Sequence, residues 1–117
     1  VIAGKDRRIH PSVRMSGRVI IGEGCVAEKD AKLNGPLVIG AQCRIGANAV
    51  LEDSVIWDRV TIGAHTSIRS SVIANDCIIG DKTGLTGAML GDHIKLDAGR
   101  RLDPGARIFP EDFENGT

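Results

Sequence analysis

With 117 residues the chain fits a single domain, and its 15 basic and 15 acidic residues cancel without forming a long run of one sign. That balance removes the electrostatic footprint of a nucleic-acid or polybasic membrane binder, and no apolar segment is long enough to cross a bilayer. Only Trp57, Phe109 and Phe113 are aromatic, so any core is aliphatic, while 15 glycines make the chain rich in turns.

Taken in chain order, the apolar residues form a comb. Ile9, Met15, Ile21, Ala27, Leu33, Ile39, Ile45 and Leu51 follow one another at steps of six, and a step of five then reaches Ile56. Steps of six lead on to Ile62 and Ile68, five to Ile73, six to Ile79 and Leu85, five to Leu90, and six to Leu96, Leu102 and Ile108. Glycine often follows a tooth, as at Gly22, Gly40, Gly46, Gly63 and Gly80, and a small or aliphatic residue stands two before it. This is a hexapeptide repeat, and the five-residue steps give Leu51–Ile62, Ile68–Ile79 and Leu85–Leu96 a period of 17 residues.

A short strand keeps residues two apart on one side. If a turn then bends the chain by a third of a circle, three such units return it to its starting direction. Period two within a unit and period six between units match neither an amphipathic helix nor a hairpin meander. The expected fold is therefore all-β: a single-stranded left-handed parallel β-helix of about six triangular coils over residues 1–108, with residues 109–117 as a C-terminal capping tail. One inward column reads Ile21, Ile39, Ile56, Ile73, Leu90, Ile108; a second Ile9, Ala27, Ile45, Ile62, Ile79, Leu96; the third Met15, Leu33, Leu51, Ile68, Leu85, Leu102. Stacked equivalents lie about 4.8 Å apart, and each buried aliphatic side chain contributes roughly 1.5–3 kcal/mol. Arg7 and Arg100 take inward positions only in the terminal coils, and Phe109 and Phe113 are positioned to cover an open end.

The candidate chemical groups fall to the same register. Cys25, Cys43 and Cys77 each precede a second-column tooth by two, so they form an inward file that cannot surround a metal tetrahedrally. His10 and His65 share a corner but lie three coils apart, and His93 sits on another corner. Ser54 and Ser71 are inward and Asp58 is a turn residue, which leaves no nucleophile and base within reach of each other. No catalytic residue and no metal site is expected. What rises above packing is an outward column of Ile20, Val38, Val55, Val72 and Met89, whose counterparts on the other two faces are mixed and charged. With Trp57 at the adjoining corner, these six residues form the candidate docking surface.

The stretch from Gly35 to Asp81 resembles the C-terminal β-helix of the sugar-phosphate nucleotidyltransferases, particularly the mannose-1-phosphate guanylyltransferase and glucose-1-phosphate adenylyltransferase branches. The likeness rests on the GPxxIGxxCxIG coil at Gly35–Gly46, the SVIWD corner at Ser54–Asp58 and the IHPS segment at Ile9–Ser12. It implies a non-catalytic domain serving subunit assembly or docking onto an N-terminal catalytic domain. Magnesium, nucleoside triphosphate and the transfer of a nucleotidyl group to a sugar 1-phosphate would belong to that domain, whose glycine-rich loop and catalytic lysine and aspartate have no match here. The implied partners are further copies of the chain, the catalytic domain, or both, with neither nucleic acid nor membrane. Because the sequence opens at Val1 without methionine or signal-peptide pattern, the expectation is a cytoplasmic domain cut from something longer. The other readings are a small trimeric acyltransferase with an acyl-CoA site between subunits and a free-standing scaffold.

Overall fold

The computed structural model describes residues 2–3 and 6–110. Within them, sixteen short strands run parallel to their equivalents one coil away, and the chain winds as a left-handed β-helix of about six turns. The prism measures 43 × 22 × 21 Å.

Its three walls follow the three columns. On the first, Ile2–Ala3 pairs with Val19–Ile21, which pairs with the end of Lys32–Ile39, then with the end of Val50–Ile56, Val72–Ile73, Met89–Leu90 and Arg107–Ile108. The second is the ladder from Arg8–Ile9 to Lys95–Leu96. The third joins Arg14–Ser16 to the start of Lys32–Ile39, the start of Val50–Ile56, Ser67–Arg69 and Gly84–Thr86. Two strands, Lys32–Ile39 and Val50–Ile56, bend around a corner from the third wall to the first.

The comb fills the interior. Its fourteen teeth from Ile21 to Leu96 are buried, while Ile9, Met15, Leu102 and Ile108 pack partly buried against them at the two ends. Parallel in-register stacking puts like on like, so each coil's apolar contacts are made mainly with the coils above and below. Arg7 and Arg100 are exposed at the terminal coils. Phe109 lies against Gly91, extending the corner column that contains Trp57; Phe113 and residues 111–117 of the expected tail lie outside the described residues.

Corners are closed by a repeated device. From Ile21 to Leu96, the residue three past a first- or second-column tooth takes a left-handed backbone, including Gln42 (φ 57°), Arg59 (φ 56°), His65 (φ 58°), Lys82 (φ 59°) and His93 (φ 60°). Its N–H then donates to a carbonyl one coil back, as in Arg59 N to Ala41 O at 2.8 Å and His93 N to Asn75 O at 2.9 Å. The Oδ1 atoms of Asp58, Asn75 and Asp92 form a second ladder, accepting from the backbone N–H of Ala41, Asp58 and Asn75 at 2.9, 2.9 and 3.0 Å. Glycine before this ladder is a matter of space: a Cβ on Gly40 would run into the Asp58 carboxylate and come within 2.7 Å of the Trp57 carbonyl carbon.

Candidate docking surface

On the first wall the residues between inward teeth point away from the core. Ile20, Val38, Val55, Val72 and Met89 are consecutive partners in the ladder, so they stand in one file about 4.8 Å apart. Ile20, Val38, Val55 and Met89 are exposed; Val72, between Val55 and Met89, is half-buried. Trp57 is 48% exposed at the corner beyond Val55. Outside this group, Ile78 at 46% is the remaining large exposed hydrophobe among the described residues, and it stands alone between Thr61 and Lys95 on the second wall.

The sequence register does not show the relief of the wall. Strand Val50–Ile56 alternates strictly near its end, so Asp53, Val55 and Trp57 face outward while Ser54 and Ile56 face in. On the Trp57 side of the file a hollow of about 390 Å³ is lined by Val38, Gly40, Val55, Trp57, Asp58 and Asn75. On the opposite side lies one of about 270 Å³, bordered by Pro36, Val38, Asp53, Val55, Ser70 and Val72. This second hollow sits on a step. The lower coil carries an extra residue at Gly35–Pro36, whereas the next two turn with Asp53 and Ser70 alone. The shortened corners leave room inside only for Ser54 and Ser71, whose hydroxyls donate to Glu52 O at 2.7 Å and Arg69 O at 2.8 Å. Ser70 Oγ donates to Asp53 Oδ2 at 3.2 Å, leaving the exposed carboxylate acceptor capacity at the rim.

Charged ladders flank both edges. Beyond Trp57, Arg59 makes a paired contact with Asp76, Nε to Oδ1 at 2.7 Å and Nη2 to Oδ2 at 3.1 Å. The guanidinium's hydrogen bond holds the Asp76 carboxyl below its ordinary range. On the other edge Arg69 Nε lies 3.3 Å from Glu52 Oε2. Both pairs are solvent-exposed and fix rim geometry more than stability.

The remaining candidates have structural posts. Cys25, Cys43 and Cys77 are buried, and each thiol donates to a corner carbonyl of the next coil: to Gly40 at 3.0 Å, Trp57 at 2.9 Å and Gly91 at 3.1 Å. The neighbouring Cys25 thiol, and then burial, raise the Cys43 thiol pKa, while burial chiefly raises that of Cys77. Among the described residues no three His, Cys, Asp or Glu side chains converge as a metal site would require. His65 and His93 occupy left-handed corner positions, and His10 Nδ1 accepts from the Ser12 N–H at 3.1 Å. Asp58 is tied into the corner ladder. No described helix is long and apolar enough to cross a membrane.

The fold and the surface can be set beside known proteins. The bifunctional protein GlmU of Pelobacter propionicus is 34% identical over 96 residues, 82% of this chain and 17% of that protein, so the chain spans about one-sixth of its relative's length. A candidate acetyltransferase of Bacillus cereus superposes with a TM-score of 0.77 at 23% identity, covering 93% of this chain and 74% of the other. A hexapeptide transferase family protein of Anaplasma phagocytophilum does so at 0.76 and 20%, covering 93% and 75%. At these identities the two structures establish the coil architecture. The family model described as the EIF2B subunit epsilon LbH domain matches residues 2–102, which is most of the prism, and the chain belongs to that family.

Proposed function

We propose that this chain is the assembly and docking β-helix of a sugar-phosphate nucleotidyltransferase, and that the file Ile20, Val38, Val55, Val72 and Met89 with Trp57 is its contact surface. The observation that carries the reading is the asymmetry of the walls. One face exposes a continuous aliphatic file, while the second alternates Arg8, Val26, Arg44, Thr61, Ile78 and Lys95. Parallel sheets are normally covered on both sides, and a file of this kind left in water is a favourable surface to bury. The GlmU relative and the SVIWD corner support a parent enzyme with a separate catalytic domain. In this reading the parent works in the cytoplasm, magnesium and the triphosphate are handled outside these residues, and the prism contributes rigid geometry. The acyltransferase reading fits less well, because His65 and His93 serve as corner residues and His10 is engaged by Ser12.

Sedimentation of the wild type and of Val55→Asp/Val72→Asp tests the surface. The double variant is expected to keep its circular dichroism and lose association, since both side chains face outward. An unchanged oligomer would remove the wall from consideration, and acetyl-CoA turnover by the purified chain would favour the acyltransferase.

A further inference from the structure

Resting on the docking surface just proposed, we infer that its occupant is a second copy of this chain, related by a two-fold axis parallel to the prism axis, with Trp57 of each copy seated in the hollow at Asp53 and Ser70 of the other. The inference begins from one strand. Asp53, with a left-handed backbone (φ 49°) at the corner that opens the first wall, and Trp57, at the corner that closes it, are exposed on either side of Val55, so the two corner residues flank the apolar file at one height. Two flat walls can meet face to face about a two-fold along the prism axis or about one along the strands. The first keeps heights and exchanges left for right, which sets Trp57 over Asp53 of the second copy and Val55 over Val55. The second sets Trp57 against Trp57 and Asp53 against Asp53.

Three features select the first arrangement. The 270 Å³ hollow spans the coils of Pro36, Asp53 and Ser70, so it is centred on the coil that bears Trp57. Knob and hole therefore lie at one height on opposite sides of the file, as that axis requires. Asp53 supplies the acceptor that a desolvated indole N–H needs, and the bulge at Pro36 faces the hollow beside Trp57. Charges agree at two heights, where the Arg59–Asp76 pair of one copy faces the Glu52–Arg69 pair of the other with unlike charges opposed. The strand-parallel axis through Val55 instead brings Arg59 onto Arg59. Area is near what is needed as well: seven stacked strands at about 4.8 Å on a wall 22 Å wide present about 740 Å², against the ~800 Å² that each partner contributes to a standard interface.

The test uses the full chain and the next coil, where Ser70 and Ala74 flank Val72 as Asp53 and Trp57 flank Val55. The native cysteines are buried, which favours reaction at an added surface thiol. A mixture of Ser70→Cys and Ala74→Cys treated with a short thiol-to-thiol linker is expected to give a 70–74 cross-link, with little product from either variant alone. Dominant 70–70 and 74–74 products would overturn the arrangement, as would a trimer mass. Trp57→Ala is expected to weaken dimerisation at least about tenfold, and wild-type tryptophan emission should shift blue as concentration rises into the dimer range. A dimer whose emission stays that of a wet indole refutes the Trp57 seat while leaving the apolar wall standing. Association that survives Val55→Asp/Val72→Asp removes the wall itself.

Discussion

Val55 and Ile56 are neighbours in sequence and opposite in consequence. Ile56 is 1% exposed and stacked between Ile39 and Ile73, whereas Val55 is 37% exposed. Ile56→Ala removes three carbons from a column that cannot collapse, because the backbone ladders above and below hold the coil spacing; a core truncation of this kind costs about 2–5 kcal/mol. A 117-residue domain has roughly 6–18 kcal/mol of stability in all, so the loss is a substantial fraction. Val55→Ala opens no cavity, and in the isolated prism its cost should stay within about 0.5 kcal/mol. Urea denaturation followed by far-ultraviolet circular dichroism measures both. At an m-value of about 2 kcal/mol/M, Ile56→Ala should lower the midpoint by about 1–2.5 M and Val55→Ala should scarcely move it. The measurement belongs at a concentration low enough that association adds nothing to stability. An Ile56→Ala midpoint equal to wild type, or a larger loss from Val55→Ala, would refute the register.

Two further outcomes follow from the corners. Gly40→Ala should cost about 1–3 kcal/mol, because its Cβ collides with the Asp58 carboxylate and the Trp57 backbone, while Gly84→Ala, whose Cβ meets nothing closer than Arg101 at 3.4 Å, should be tolerated; thermal melts of the pair compare them directly. Cys77 has its pKa raised above the ordinary 9.0 by burial, so its contribution to stability is fully present below that value and is lost as pH rises through the folded value. Val60 already fills the same column, so Cys77→Val should fold and lose stability less steeply above pH 9, as read by melting temperature against pH.

The comb was legible because burial in a stacked coil is strictly periodic: each tooth from Ile21 to Leu96 lies in the core, and the shortened steps before Ile56, Ile73 and Leu90 mark one corner. The exposed file was legible for the same reason, since period two makes the neighbours of buried teeth outward. What the pattern hid was set by contacts between coils. Arg59 and Lys82 are poor candidates for a left-handed backbone on their own preferences, since outside Gly that conformation favours Asn, Asp and His. They adopt it because the N–H so oriented completes the ladder to the preceding coil. Cysteine had a local explanation as a small apolar group, but its thiol also satisfies a corner carbonyl, a role visible only when coils are superposed. Val72 is half-buried where its register implied exposure.

Identical coils give a solenoid no preferred partner, so specificity must come from departures from the repeat, and here the departures coincide. A one-residue difference between the Pro36 corner and the Asp53 corner makes the step beneath the second hollow. The same shortening admits only small inward residues, and their hydroxyls hold the tightened backbone by accepting the next coil's N–H: Ser71 N to Ser54 Oγ and Ala88 N to Ser71 Oγ, both 3.1 Å. Four residues beyond the first shortened turn stands the chain's single tryptophan, in a column otherwise given to Gly22, Gly40, Ala74 and Gly91 and ending at Phe109. In the proposed dimer, a hollow and a knob at one height on either side of an apolar seam complement each other under one rotation. In that arrangement the irregularity that changes the period from 18 residues to 17 supplies the geometric condition for selective pairing, without any wall of the prism having to change shape.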